Sequence, residues 1–220
     1  MTALHLLVMA KAPVAGRVKT RLCPPCTLAE AAELAAAALA DTLDAVAACG
    51  ATRRIVALAG DPGPWLPPGF EVLAQCEGGF DRRLAHAWAR AGGPGVQIGM
   101  DTPQVTPGLL DSALATLEAA PAALGRATDG GWWAIGLRRA DERVFMGLPM
   151  SAADTGRRQL ERLLALGLEV ASLPELADLD TAEDLSAVVA GAPTSRTAVL
   201  ARRLGLLQPS GGSPRTPPRG

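Results

Sequence analysis

A chain of 220 residues with 21 Lys+Arg against 22 Asp+Glu, a formal net charge of −1 and 49% hydrophobic residues reads as a globular protein able to bury a sizeable core. The near-neutral balance argues against a broad nucleic-acid surface, so no nucleic-acid partner is expected. No apolar stretch approaches the roughly 18 residues of a membrane span, and Met1-Thr2-Ala3-Leu4-His5 lacks the basic start of a signal peptide. No membrane partner and a cytoplasmic location are therefore expected.

Leu4 to Met9 is a near-continuous apolar run, the pattern of a strand covered on both faces in a parallel sheet. It leads into Lys11-Ala12-Pro13-Val14-Ala15-Gly16-Arg17-Val18-Lys19-Thr20-Arg21, where four cations sit among turn-forming residues. A strand feeding a basic, glycine-containing loop that feeds a helix is an arrangement that holds phosphate. Backbone N–H groups and the positive end of the helix face the anion, and ammonium and guanidinium groups complete the neutralisation. Lys11, Gly16, Arg17, Lys19 and Arg21 are thus candidate phosphate ligands. Lys11 and Lys19 are also the only lysines of the chain; the remaining 19 basic residues are arginine. A compact ammonium on a flexible stem can reach in among crowded phosphate oxygens.

Cys23-Pro24-Pro25-Cys26 has metal-ligand or redox spacing, but Cys49 and Cys76 are isolated and the only histidines are His5 and His86. Reduced, non-functional thiols are expected, and both histidines are expected to be packed or at the surface. Thr27-Leu28-Ala29-Glu30 is a capping box opening a helix to about Cys49-Gly50. Arg54 to Leu58 reads as a second strand and Glu71 to Ala74 as a third, with a loop rich in glycine and proline between them. Gly78-Gly79 precedes an amphipathic segment, Phe80 to Ala91, bearing Asp81, Arg82 and Arg83. Val96 to Met100 is a strand that ends in Asp101, and Thr106-Pro107 caps a helix to about Ala119. This order predicts an α/β fold with a mainly parallel sheet and helices on both faces.

Further on, Ala127 to Gly131 is a turn. Gly130 and Gly131 are expected to let backbone approach a ligand, and Trp132 to Leu137 is a strand leaving the turn. A helix from Gly156 to about Leu166 and a strand from Glu169 to Leu173 follow. Leu179 to Leu185 reads as an acidic helix start with a Thr181/Asp184 box, and helical patterns continue to about Leu207. Gln208 to Gly220 reads as a disordered tail, which leaves residues 1–207 as a single expected domain. Asp101, directly after a strand, is the candidate Mg²⁺ or Mn²⁺ ligand, because cations that bridge phosphates are held by one or two carboxylates. Asp129 is a second candidate carboxylate and Asp180 a weaker one.

Four segments taken together resemble a known group: Ala10 to Leu22, Gly99 to Pro103, Thr128 to Leu137 and Asp178 to Leu185. They look like the successive signatures of the bacterial DUF2064 family, glycosyltransferase-A-like proteins of the nucleotide-diphospho-sugar transferase fold, some named as arsenosugar-biosynthesis glycosyltransferases. The resemblance spans roughly residues 4–190. It implies a Rossmann-like three-layer α/β/α domain that binds a nucleotide, with the N-terminal loop on its phosphates and Asp101 on the metal side. Two departures stand out. Asp101 lacks the second carboxylate of an Asp-x-Asp pair, and Met150-Ser151 stands where a tryptophan followed by Ser or Thr is expected.

Three functions follow. The first is sugar transfer from a nucleotide-diphosphate sugar to a small acceptor, with Asp129 or another pocket carboxylate taking the acceptor's proton. The second is nucleotidyl transfer from a triphosphate with release of pyrophosphate, which rests on Lys11, Lys19, Arg21 and the metal. The third is a nucleotide-binding protein without turnover. Four cations in one loop favour the second and the family resemblance favours the first. Lys19 and Asp129 are the candidate catalytic residues.

Overall fold

The apolar run after Leu4 becomes β1 (His5–Lys11), buried at every position except Lys11, and the other strands are laid down on either side of it. The computed structural model describes residues 4–150 and 152–207; Ser151 and the expected tail, Gln208 to Gly220, lie outside them. On one side of β1 come β2 (Arg53–Ala59) and β3 (Glu71–Ala74), both parallel to it. On the other comes β4 (Gly95–Gly99), also parallel. The next strand in space is β6 (Trp132–Leu137), antiparallel to β4 and to its other neighbour β5 (Ala122–Ala127). The edge strand β7 (Val170–Leu176) runs parallel to β5. The order is β3-β2-β1-β4-β6-β5-β7, a mixed, mainly parallel sheet with β6 reversed.

Four of the six helices among the described residues cover the sheet. Helices α1 (Leu28–Ala48) and α3 (Pro107–Ala119) bury Leu39, Leu43, Leu110 and Leu114 on one face with Leu6 and Val8 of β1. Helices α2 (Phe80–Ala91) and α4 (Thr155–Ala165) cover the other face, where Leu84, Trp88 and Leu163 meet Leu7, Ile55 and Ile135. This period-2 split of β1, Leu6 and Val8 one way and Leu7 and Met9 the other, is what a strand covered on both sides requires. A third cluster sits on the outer side of α1, where Leu34 and Ala38 pack against α5 (Asp184–Gly191) and α6 (Arg196–Arg203). The alanines of α1 are small enough for neighbours to close on the helix from both sides.

Local signals explain most boundaries. Thr27 and Glu30 form the reciprocal capping box, and Thr106 caps α3 with Pro107 at its first position. Two expectations are corrected. Ala122–Ala127 is a strand absent from the sequence-based order, because Ala-Ala-Leu-Gly-Arg-Ala carries no β-branched residue. The Thr181/Asp184 box does not cap a helix: Asp184 is the first residue of α5, and its carboxylate binds back onto Asp180 N and onto Thr181 N and Oγ1. No disulfide forms among the described residues, Cys23 and Cys26 included. No helix among them is long and apolar enough to cross a membrane.

His5 is packed, as expected. Its ring meets Trp88 edge-on at 5.2 Å and lies across Gly95, its register partner on β4, where a Cβ would stand 2.4 Å from the imidazole. Burial and the positive charge of Arg53 push its pKa down to about 4. An unfolded chain would therefore take up this proton first, near pH 6.5. The His5 contribution is intact above pH 6.5 and is withdrawn as pH falls to 4, by about 3 kcal/mol in all. Urea denaturation at both ends of that window should show wild type losing about that much relative to His5→Phe; a constant difference would mean that His5 takes up its proton as readily in the fold as in the unfolded chain.

Candidate active site

Because β6 runs backwards, the start of β6 and the ends of β1, β4, β5 and β7 share one edge of the sheet. A cleft of about 700 Å³ opens there, within the range of small-molecule sites. Asp101 follows β4, Asp129 and Gly131 lie in the turn from β5 to β6, and Asp178 and Asp180 follow β7. Three of the loop cations, Lys11, Lys19 and Arg21, line the same cleft, and Arg83 of α2 faces it from the β3 side.

The loop after β1 is held by the segments it faces. Lys11 Nζ donates to the carbonyl of Arg17 at 3.2 Å. Lys19 stands at φ 49° and is the one non-glycine residue in the left-handed region among those described. Its side chain, only 7% exposed, sends Nζ to 2.9 Å from Asp101 Oδ1 and 3.9 Å from Asp180 Oδ1, and Nζ also donates to the carbonyl of Leu179. Arg21 Nη1 donates to Asp180 Oδ2 at 2.6 Å. Leu179 N donates to the carbonyl of Asp101 at 2.9 Å, so the segments after β4 and β7 are joined through backbone as well. Asp101 Oδ1 is buried, and its contact with Lys19 is not aligned as a hydrogen bond.

Several expectations shift here. Arg17 lies on a smaller outer hollow together with Lys11 and Lys19, not on the main cleft. Gly16, at φ 75°, shapes the turn and lines neither. The positive end of α1 does not face the cleft either, because a 3-10 turn (Thr20–Leu22) and Cys23 to Cys26 intervene, and none of residues 22–30 lines it. Gly131 lines the cleft, but Gly130 serves a protein neighbour: at φ 90°, a Cβ there would stand 1.8 Å from the Ala153 carbonyl oxygen. The two tryptophans diverge as strand geometry requires. Trp133 is buried and donates Nε1 to the carbonyl of Pro174 at 2.8 Å, while Trp132 is half-buried, and both contribute to the lining of the cleft.

Sequence reasoning passes over two features. Asp178 merges into an apparent acidic helix start, yet it follows a strand as Asp101 does, and that position is the available signal. Burial, with the negative charges of Asp101 and Asp129 next and Asp180 after them, pushes its pKa up to about 8 against the opposing pull of Lys19. The other is a polar bracket at the β3 side. Gln75 Nε2 donates to the carbonyls of Ala10 and Ala57 at 2.9 and 2.8 Å, and Arg83 Nη1 donates to Gln75 Oε1 at 3.0 Å. The guanidinium of Arg83 lies 5.1 Å from the centre of the Phe80 ring, and its Nε is buried without a partner.

Residues 30–152 match the family described as "Uncharacterized protein conserved in bacteria (DUF2064)". Among solved structures, a Desulfovibrio desulfuricans G20 protein provisionally named a nucleotide-diphospho-sugar transferase is 30% identical, covers 94% of this chain and 97% of its own, and has a TM-score of 0.83. More distant are a CMP:2-keto-3-deoxy-manno-octonic acid synthetase complexed with CTP, at 13% identity over 92% of this chain and all of its own, TM-score 0.55, and the 2-C-methyl-D-erythritol 4-phosphate cytidylyltransferase of Thermus thermophilus, at 20% identity over 91% of this chain and all of its own, TM-score 0.50. These two share the fold with this chain. Comparison with curated proteins gives no match.

The raised pKa of Asp178 has a consequence for stability. A carboxyl held protonated by the fold contributes fully below its unfolded pKa near 3.8, and that contribution is lost as pH rises through about 8. Asp178→Asn should therefore gain stability relative to wild type between pH 5 and pH 9, by more than about 1 kcal/mol. Thermal or urea unfolding at the two pH values measures it, and an equal difference at both would show that Asp178 ionises normally.

Proposed function

The chain belongs to the DUF2064 family, and we propose that it is a nucleotide-dependent transferase. Its reaction moves a glycosyl group from a nucleotide-diphosphate sugar to a small acceptor, with Mg²⁺ or Mn²⁺ as cofactor. The observation that carries this reading is the charge balance of the cleft. Lys11, Lys19, Arg21 and Arg83 share it with Asp101, Asp129, Asp178, Asp180 and Asp184, and Asp178 is mostly protonated at neutral pH. The lining is thus near neutral. Together with one divalent cation it suits a nucleoside-diphosphate sugar better than the more highly charged triphosphate.

The donor chemistry fits such a cation. Asp101 with Asp178 or Asp180 offers hard carboxylate oxygens, and the buried Asp101 Oδ1 has no aligned hydrogen bond to surrender. When bound, the ion would supply Lewis-acid neutralisation of the departing diphosphate. The chain's own groups do the rest. Lys11, Arg21 and the ammonium of Lys19 bind phosphate oxygens, and Gly131 presents backbone without a side chain. Trp132 and Met150 add apolar lining to the cleft that holds Asp129. Asp129, whose Oδ1 already accepts from Gly131 N at 2.8 Å and is thereby oriented, takes the proton of the acceptor hydroxyl.

Incubation with Mg²⁺ or Mn²⁺ and a panel of nucleotide sugars and nucleoside triphosphates tests this. Release of free nucleoside diphosphate is expected. Pyrophosphate release would assign nucleotidyl transfer instead, and thermal stabilisation without product would assign a binding protein. Asp101→Asn should lower kcat/KM by about 10²-fold or more, and Asp129→Asn should lower kcat by about 10²- to 10⁴-fold with KM for the nucleotide sugar little changed.

A further inference from the structure

Lys19 occupies the place that the proposed function would give to a cation. Its ammonium lies within 2.9 Å of Asp101 and 3.9 Å of Asp180, donates to the Leu179 carbonyl and is shielded from water. Among the described residues, no three acidic, histidine or cysteine side chains already converge as a metal site. The carboxylates are present but closed around an amine. The backbone of Lys19 is also held in the left-handed region, a conformation that costs a non-glycine residue about 1 kcal/mol or more and persists where the surroundings impose it.

We infer that Lys19 is a tethered counter-ion that competes with the divalent cation for Asp101 and Asp180, and that it gives way when phosphate binds. This rests on the proposed function and adds an order of events to it. In the ligand-free protein the ammonium neutralises the carboxylates, and a divalent ion must displace it into the cleft with no phosphate there to receive it. With a diphosphate present, the ammonium leaves the carboxylates for the phosphate oxygens, and the vacated oxygens take the metal. Metal and nucleotide are then positively coupled through one side chain, and by linkage each raises the affinity of the other by the same factor. Lys11, tied to the Arg17 carbonyl and contacting no carboxylate, remains a phosphate ligand throughout. Lys19 is in this sense a positioning residue for the metal and a direct ligand for the nucleotide.

Two measurements test the coupling. In the ligand-free protein, Lys19→Met should bind Mn²⁺ at least about tenfold more tightly than wild type, read from the free-ion electron paramagnetic resonance signal. Equal or weaker Mn²⁺ binding by a folded Lys19→Met would overturn the inference. The second is read on wild-type protein, with a variant used only to assign the signals. With only two lysines in the chain, protein labelled with [¹³Cε]lysine gives two side-chain signals, assigned by comparison with Lys11→Arg. The Lys19 signal should stay in place with Mg²⁺ alone and move when Mg²⁺ and inorganic pyrophosphate are added together. Movement of the same size with Mg²⁺ alone would overturn the coupling and leave the transferase reading intact. No response of either signal to Mg²⁺ with pyrophosphate would overturn both.

Discussion

One ammonium, Nζ of Lys19, stands where three segments distant in the chain have to meet. The loop after β1 supplies the amine, the end of β4 supplies Asp101, and the segment after β7 supplies the Leu179 carbonyl and Asp180. Burial first, and then the neighbouring charges of Asp101 and Asp129, makes Asp178 resist ionisation. The amine offsets much of that repulsion without desolvating a free ion. The basic loop is therefore part of the acidic site as much as it is a partner to it.

The sheet makes this meeting geometrically cheap. In a parallel sheet the carboxyl ends of the strands lie on one edge, which is where ligands bind in open α/β folds. A strictly parallel β6 would have carried the turn from β5 away from that edge. Reversed, it forms a hairpin with β5 whose turn, Thr128 to Gly131, is delivered to the cleft directly beside β4. Packing then locks the turn: the Gly130 carbonyl accepts from Gly156 N at 2.8 Å, and neither glycine leaves room for a Cβ. Of the glycine pair, Gly130 lets the segment leading into α4 pass close behind the turn, while Gly131 faces the cleft.

Much of the fold was legible in the sequence because local signals and the burial pattern agreed. The two-faced apolar run of β1, the Thr27/Glu30 box and the Thr106-Pro107 start each encode their own boundary. What remained illegible depended on tertiary neighbours. Strand β5 is built from Ala122, Ala123 and Leu124, residues suited equally to a helix, and only its position between β6 and β7 makes it a strand. Asp178 was hidden by its neighbours in sequence, since Asp180, Glu183 and Asp184 resemble a first helical turn. The cations of the loop could be named but not sorted. Which of them is sheltered (Lys19) and which lies outside the cleft (Arg17) depends on a left-handed turn that no residue preference announces.

Helix α1 is held from both flanks, by the sheet and by α5 with α6, through alanines and leucines that leave little slack. A helix fixed in this way cannot swing like a lid without dragging the carboxy-terminal pair along. Whatever breathing the cleft undergoes on its amino-terminal rim is thus confined to the dozen or so residues between Ala12 and Thr27 and to their side chains. The rim is a stiff frame with one short irregular segment set in it, and such a segment moves on the time scale of side chains and short loops rather than of domains.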